Sequence, residues 1–251
     1  MPHQKSISVS QATKSLAASG NISQAVANHL AENDRPVFLA DIKRGFHDPV
    51  LSCILIDASG SMAECRDAVI QAQREVLDTW RHGANCRNNA LFVSQYLFST
   101  EMRQLNPPAQ LTATKNDQVV ILDTGKYDPD GGTALHTTVY QVLQDIAVNT
   151  AYAFSQSMKM KFTLMLISDG QDTEGGADTN DIKTTIQELK AKGHLLISTV
   201  IGITHPKFTP AMVNELKERL GFDEAILSSQ DPQAIRRACA QGSKSALNAQ
   251  V

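Results

Sequence analysis

The sequence predicts an α/β protein, an open and mostly parallel central sheet with helices on both faces. Two observations predict it. Short, nearly continuous apolar runs rich in branched residues recur along the chain, as strands buried on both faces require. Between them, apolar residues return at three- and four-residue steps, the period of a helix with one buried face. Such alternation with short connections implies right-handed crossovers and a sheet covered on both sides. With 251 residues, the chain is long enough to bury one large core.

Taken in order, Met1 to about Gly20 is rich in Ser, Ala and Gln and reads as a mobile leader. Asn21 to Asn33 predicts a helix with Ile22, Val26, Ala27 and Leu30 on one face and Ser23 near its start. Pro36 ends it, and Phe38–Ile42 is expected as a short edge strand. The chain is expected to divide into an N-terminal leader, 1–45, and a domain spanning 46–251.

Strands follow at Val50–Ile56, Leu91–Phe98, Phe162–Ile167, Leu195–Ile201 and Ala225–Leu227. Leu105 to Thr112 holds Pro107 and Pro108, so a strand there belongs at an edge. One helix carries Met62, Cys65, Val69, Ala72, Val76 and Trp80 and ends near Gly83. The next carries Leu135, Val139, Val142 and Ile146, and a third carries Ile182, Ile186 and Leu189 before Gly193. Thr209-Pro210 and Asp231-Pro232 each set a cap residue before a proline in a first helical turn. They open helices through Val213, Leu216 and Leu220, and through Ile235, Ala238 and Cys239.

Composition narrows the function. The 23 basic and 26 acidic side chains leave a formal charge of −3, too balanced to supply a positive field for phosphate backbones. Arg236, Arg237 and Lys244 read as a solvated helix face. No run nears the roughly 18 apolar residues of a membrane span. Met-Pro-His-Gln-Lys lacks the apolar core of a secretory signal. Cys53, Cys65, Cys86 and Cys239 form no CxxC pair and read as reduced thiols of a cytoplasmic protein, with Cys53 a small core hydrophobe.

Open α/β sheets bind ligands beyond the carboxyl ends of their strands, where strand order reverses. That rule selects the loops after Ile56, Ile167 and Ile201. The first reads Asp57-Ala58-Ser59-Gly60-Ser61, with a carboxylate and two hydroxyls at alternate positions, so that three oxygens can converge. The second, Ser168-Asp169-Gly170, adds a carboxylate. The segment Asp130-Gly131-Gly132-Thr133-Ala134 is a glycine turn presenting the hydroxyl of Thr133. Asp57, Ser59, Ser61, Thr133 and Asp169 are all hard oxygen donors, the set Mg²⁺ prefers, with Mn²⁺ or Ca²⁺ as alternatives. Two carboxylates balance a dication, and neutral hydroxyls leave it electrophilic. Taken singly, each loop is equally well a helix cap or a plain turn.

Asp57-Ala58-Ser59-Gly60-Ser61 resembles the DxSxS metal ion-dependent adhesion site of von Willebrand factor A (vWA) domains, the type found in integrin inserted domains. Gly132-Thr133 and Asp169-Gly170 match the family's two remaining elements in order and spacing. The strand–helix pattern from about 50 to about 240 is similar throughout. The resemblance implies a vWA/Rossmann-like fold. It also implies direct coordination by Ser59, Ser61 and, in one state, Thr133, with Asp57 and Asp169 acting directly or through waters. It implies a protein partner whose Glu or Asp carboxylate fills the open metal position, and in some members a coupled movement of the last helix. Free-standing intracellular members serve as partners or adaptors of AAA+ ATPases, kinases or other assemblies.

The expected function is therefore a metal-dependent protein-interaction module and not an enzyme. The alternative is a metal-dependent hydrolase such as a phosphatase at the same Mg²⁺. Ser59 stands where haloacid dehalogenase-type phosphatases carry their second carboxylate, which leaves no general acid for a leaving group. No GxSxG elbow is present either. Asp128, Asp130, Asp172 and Glu174 lie near the expected metal rim and read mainly as loop solubilisers. His136 is either a supporting donor or an ordinary helix residue. The remaining histidines, His205 among them, carry no assigned role.

Overall fold

The computed structural model describes residues 6–40, 49–83, 91–114, 116–170 and 172–249, with side chains through 244. Six strands form the main sheet: β3 (Val50–Asp57), β4 (Leu91–Phe98), β5 (Met102–Gln110), β6 (Lys161–Ser168), β7 (Leu195–Thr204) and β8 (Glu224–Ser229). Their order is β5-β4-β3-β6-β7-β8. All neighbours are parallel except β4 and β5. The proline-bearing β5 is the expected edge strand, and its register against β4 shifts around Gln95.

Every residue of β3 and β4 is buried, which explains why these strands read as unbroken apolar runs. Alternate side chains still separate into two cores. Leu51, Cys53, Leu55, Phe92, Tyr96, Leu164 and Leu166 face α4 (Leu135–Ser155), α5 (Thr179–Ala191) and α6 (Pro210–Leu220). Val50, Ile54, Ile56, Val93, Met165 and Ile167 face α3 (Arg66–Arg81) and α7 (Pro232–Ala249). Trp80 of α3 is wholly buried and donates its indole N–H to the Ser243 carbonyl of α7 at 3.2 Å. Met62 and Cys65 lie in a 3₁₀ turn, Gly60–Cys65, that leads into α3. Asp231 caps α7 through the Ala234 N–H at 2.8 Å. The exposed Arg236 on that helix pairs with Glu75. Cys53, Cys65 and Cys239 are buried free thiols, and Cys86 lies outside the described residues.

Two expectations for the N-terminus are corrected. Residues 9–18 are not a mobile leader but a helix, α1 (Val9–Ala18), preceded by β1 (Ser6–Ser8). Val9, Ala12, Thr13 and Leu16 form its buried stripe, and the Ser8 hydroxyl accepts from the Gln11 N–H at 3.2 Å. The stripe keeps helical spacing, i, i+3, i+4 and i+7, but two of its four members are Ala and Thr, so the segment reads as polar by composition. The expected strand at Phe38–Ile42 is instead β2 (Pro36–Phe38), which pairs antiparallel with β1 in a separate two-stranded sheet. Residues 41–48 lie outside the described set. Helix α2 (Gln24–Leu30) is shorter than the expected Asn21–Asn33 and ends before Pro36, but it buries the expected Val26, Ala27 and Leu30 and is capped by Ser23.

These N-terminal elements pack on α4. Arg35, just before β2, donates to Gln144 Oε1 at 3.1 Å and the Gln141 carbonyl at 2.6 Å, and pairs with Asp145. Tyr96 of β4 donates to the other Asp145 oxygen at 2.6 Å. Burial raises the Asp145 carboxyl above the usual carboxylate range, against the opposing pull of Arg35 and Tyr96. No described helix is long and apolar enough to cross a membrane.

Candidate metal centre

The strand order reverses between β3 and β6, where crossovers leave the sheet in opposite directions. The loops at these two carboxyl ends therefore lie where open sheets of this kind bind ligands. Asp57 is the last residue of β3 and is fully buried. Its Oδ1 accepts the Ser59 N–H at 2.8 Å, and its Oδ2 accepts the Ser168 hydroxyl. Its own carbonyl accepts the Tyr127 phenol at 2.7 Å. Burial pushes the Asp57 carboxyl up to about 6, even though the Ser168 and Ser59 bonds favour the ionised form.

Ser59 sits at the N-cap position of the 3₁₀ turn in extended conformation, yet its side chain makes no capping bond. Its Oγ lies 3.1 Å from Ser61 Oγ instead. Ser61 is exposed and donates to Asp169 Oδ1 at 2.8 Å. The hydroxyls thus turn toward one another and toward β6 rather than closing a helix end, which distinguishes the loop from an ordinary cap.

Asp169 follows β6 and is fully buried. Burial raises its carboxyl too, opposed by the Ser61 bond and by His205. Its Oδ2 accepts no hydrogen bond, and His205 Nε2 stands 3.9 Å from it. A buried carboxylate oxygen without a hydrogen bond is costly, and a cation beside it would offset that cost.

Thr133 arrives on a loop tied down at several points. Asp130 N–H donates to the Ala58 carbonyl at 2.8 Å, and Gly60 N–H to that of Gly131 at 3.0 Å. Gly131 takes the left-handed conformation, φ 79°, which favours glycine there. Thr133 N–H donates to Thr173 Oγ1 at 2.7 Å, and Thr173 N–H returns to the Thr133 carbonyl at 2.9 Å. A Cβ on Gly170 would stand 3.4 Å from Thr133 Oγ1 and 3.7 Å from Asp57 Oδ2. Gly170 therefore borders Thr133 and Asp57, and hydrogen bonds link Asp57 to Ser59, Ser59 to Ser61 and Ser61 to Asp169.

This donor set fits a hard divalent ion. It has two buried carboxylates, one with an unsatisfied oxygen, and hydroxyls that reach the surface at Ser61. Among the described residues no three His, Cys, Asp or Glu side chains group as a metal site. A cation here would therefore rely on serine and threonine oxygens beside the aspartates.

His205 is a residue the sequence reading missed. Its Nδ1 accepts the Lys207 N–H at 3.2 Å, which leaves the proton on Nε2, and Nε2 donates to the Asp169 carbonyl at 2.7 Å. The ring braces the backbone of Asp169. Its signal was its position just past β7, in one of the three loops the sheet topology selects, whereas its spacing from other histidines was uninformative. Ser168, Tyr127 and Thr173 support the cluster in the same way.

The rim residues divide. Asp128 is exposed and lies 3.4 Å from Arg66, Asp130 is exposed and accepts the Gly131 N–H at 2.8 Å, and Glu174 is exposed. Asp172 is not a solubiliser. Its side chain is 4% exposed and pairs with His136 Nδ1 at 2.8 Å. His136 thus bonds Asp172, and none of the five site residues.

The von Willebrand factor type A domain model matches residues 53–229. Among solved structures, the fold is similar to "von Willebrand factor type A from Catenulispora acidiphila", with 17% identity and TM-score 0.50, over 79% of this chain and 43% of that one. It is likewise similar to the PilB minor pilin from Streptococcus sanguinis, with 14% identity and TM-score 0.51, over 82% of this chain and 63% of that one. Both matches cover less than two thirds of the other protein, and at these identities the likeness is one of fold alone. No curated protein matches the sequence. With the family match extending over more than half its length, the chain belongs to the von Willebrand factor type A family, whose domains are in general protein-interaction modules.

Proposed function

We propose that the chain is a metal-dependent protein-interaction module whose adhesion site holds one divalent cation, Mg²⁺ by preference. Asp57, Ser59, Ser61, Thr133 and Asp169 are its holders. The observation that carries this reading is the Oδ2 of the buried Asp169, which accepts no hydrogen bond, within a cluster whose serine hydroxyls are not spent on capping. A bound Mg²⁺ supplies a Lewis-acidic position open to an outside carboxylate. Asp57 and Asp169 offset its charge, while Ser59, Ser61 and Thr133 add oxygens without adding charge. The exposed Ser61 sets the side from which a partner's Glu or Asp approaches. The module then serves as an intracellular adaptor or regulatory subunit of a larger assembly, such as an AAA+ ATPase or kinase system.

The hydrolase alternative finds less support. His205, the imidazole bonded to the site, has both ring nitrogens engaged by backbone groups and offers no free acid or base. Affinity capture of partners in Mg²⁺, in chelator, and with Ser61→Ala and Thr133→Ala tests the interaction reading. Proteins captured in Mg²⁺ and lost under the other three conditions support it. A capture profile indifferent to chelator contradicts it.

A further inference from the structure

Beside the metal centre, on the far side of Gly170, lies a cavity of about 170 Å³. Helix α6 lines it with Met212, Glu215, Leu216 and Arg219, one face of the helix at three- and four-residue steps. Phe208 and Leu216 are buried and give it an apolar floor. His136 and Asp172 form the opposite wall.

Asp172 is the group that asks for a ligand. Its side chain is 4% exposed, one oxygen is held by His136 Nδ1 at 2.8 Å, and Oδ1 has no partner. His136 Nδ1 lies 2.8 Å from Asp172, and with its proton on that nitrogen its Nε2 faces Arg219 Nη2 at 3.5 Å as an acceptor. With the imidazole neutral, Asp172 and Glu215 against Arg219 leave one net negative charge around the cavity. A buried acceptor, a negative surplus and an apolar floor suit a long side chain with a cationic head. An acidic ligand would meet two carboxylates there.

We propose that this cavity receives a lysine or arginine side chain of the same partner whose carboxylate meets the metal. Its stem lies on Phe208 and Leu216, and its head pairs with the Asp172 carboxylate, which turns to present an oxygen to the cavity. The proposal rests on the metal-site reading, since Gly170 borders both the cavity and the metal-site oxygens. The recognised element is then a basic and an acidic side chain a short distance apart.

Acetylated, amidated peptides test this on the full chain, each with a glutamate and, separated by zero to three glycines, lysine, norleucine or a second glutamate. Binding is titrated in Mg²⁺ and in EDTA. At one spacing the lysine peptide is expected to bind about tenfold tighter than its norleucine twin, the scale of a charge-assisted hydrogen bond. Asp172→Asn is expected to abolish that preference and the exposed-rim variant Glu215→Gln to reduce it, both with Mg²⁺ binding retained. Equal affinity for lysine and norleucine at every spacing, or a preference for the second glutamate, overturns the proposal. Failure of the metal reading shows separately, as no Mg²⁺ binding and no effect of EDTA on any peptide.

Discussion

Ser61 and Asp169, 108 residues apart in sequence, meet through a 2.8 Å hydrogen bond that joins the turn after β3 to the end of β6. The bond satisfies one oxygen of a fully buried carboxylate and leaves the other without a hydrogen bond. Ser61→Ala removes the hydroxyl held by Asp169 Oδ1. Urea denaturation in EDTA should show a loss of about 1–3 kcal/mol, the cost of a newly orphaned buried acceptor. No change would mean that solvent reaches Asp169 as readily as it reaches Ser61.

Asp57→Asn should stabilise the metal-free protein near neutral pH. The amide oxygen can keep the Ser59 N–H bond and its NH₂ can donate to Ser168, while a buried charge disappears. The rise of the Asp57 carboxyl from 3.8 to about 6 corresponds to about 3 kcal/mol of penalty on the ionised form. A stabilisation of a few kcal/mol accompanied by loss of Mg²⁺ binding is the expected pairing. A destabilised variant would show that the carboxylate is held favourably without a cation.

The same carboxyl sets a pH dependence. Its folded-state pKa is raised above the unfolded value, so its favourable contribution is full below about 3.8 and is lost as pH rises through about 6. Asp169, also raised, acts in the same direction. The stability difference between wild type and Asp57→Asn in EDTA should therefore widen from pH 4 to pH 7 in favour of the variant. Saturating Mg²⁺ should reverse the trend for the wild type by binding the ionised form. A difference that stays flat across this range would contradict the burial argument.

The main sheet was legible because its strands are buried on both faces and flanked by periodic helices, as β3, β6 and α3 illustrate. The segments that make up the candidate site were legible because Asp57, Ser59, Ser61 and Asp169 follow strands and Thr133 stands in a glycine turn that opens α4. What escaped was long-range or weakly patterned. Helix α1 hides its stripe in Ala12 and Thr13. His205 is defined by a backbone contact to a residue on another strand, and Asp172 by a partner on α4. None of these partnerships leaves a trace in local spacing.

Arg35 ties the N-terminal elements to the domain. Arg35→Ala leaves Asp145 buried beside Tyr96 without its cation, and loss of one member of a buried pair costs about 3–5 kcal/mol. Leu16, 1% exposed in α1, should cost about 2–5 kcal/mol on truncation to alanine. Thermal denaturation of both variants checks this. Unchanged midpoints would mean that residues 9–35 are not integral to the fold.

Everything proposed for the site turns on one divalent cation held by Asp57, Ser59, Ser61, Thr133 and Asp169. Calorimetric titration of Mg²⁺ and Mn²⁺ into the wild type, Asp57→Ala and Ser59→Ala tests it most directly. Close to one equivalent should bind to the wild type and none to either variant, with both variants folded. Absence of binding by the folded wild type, or binding that survives both substitutions, would contradict it.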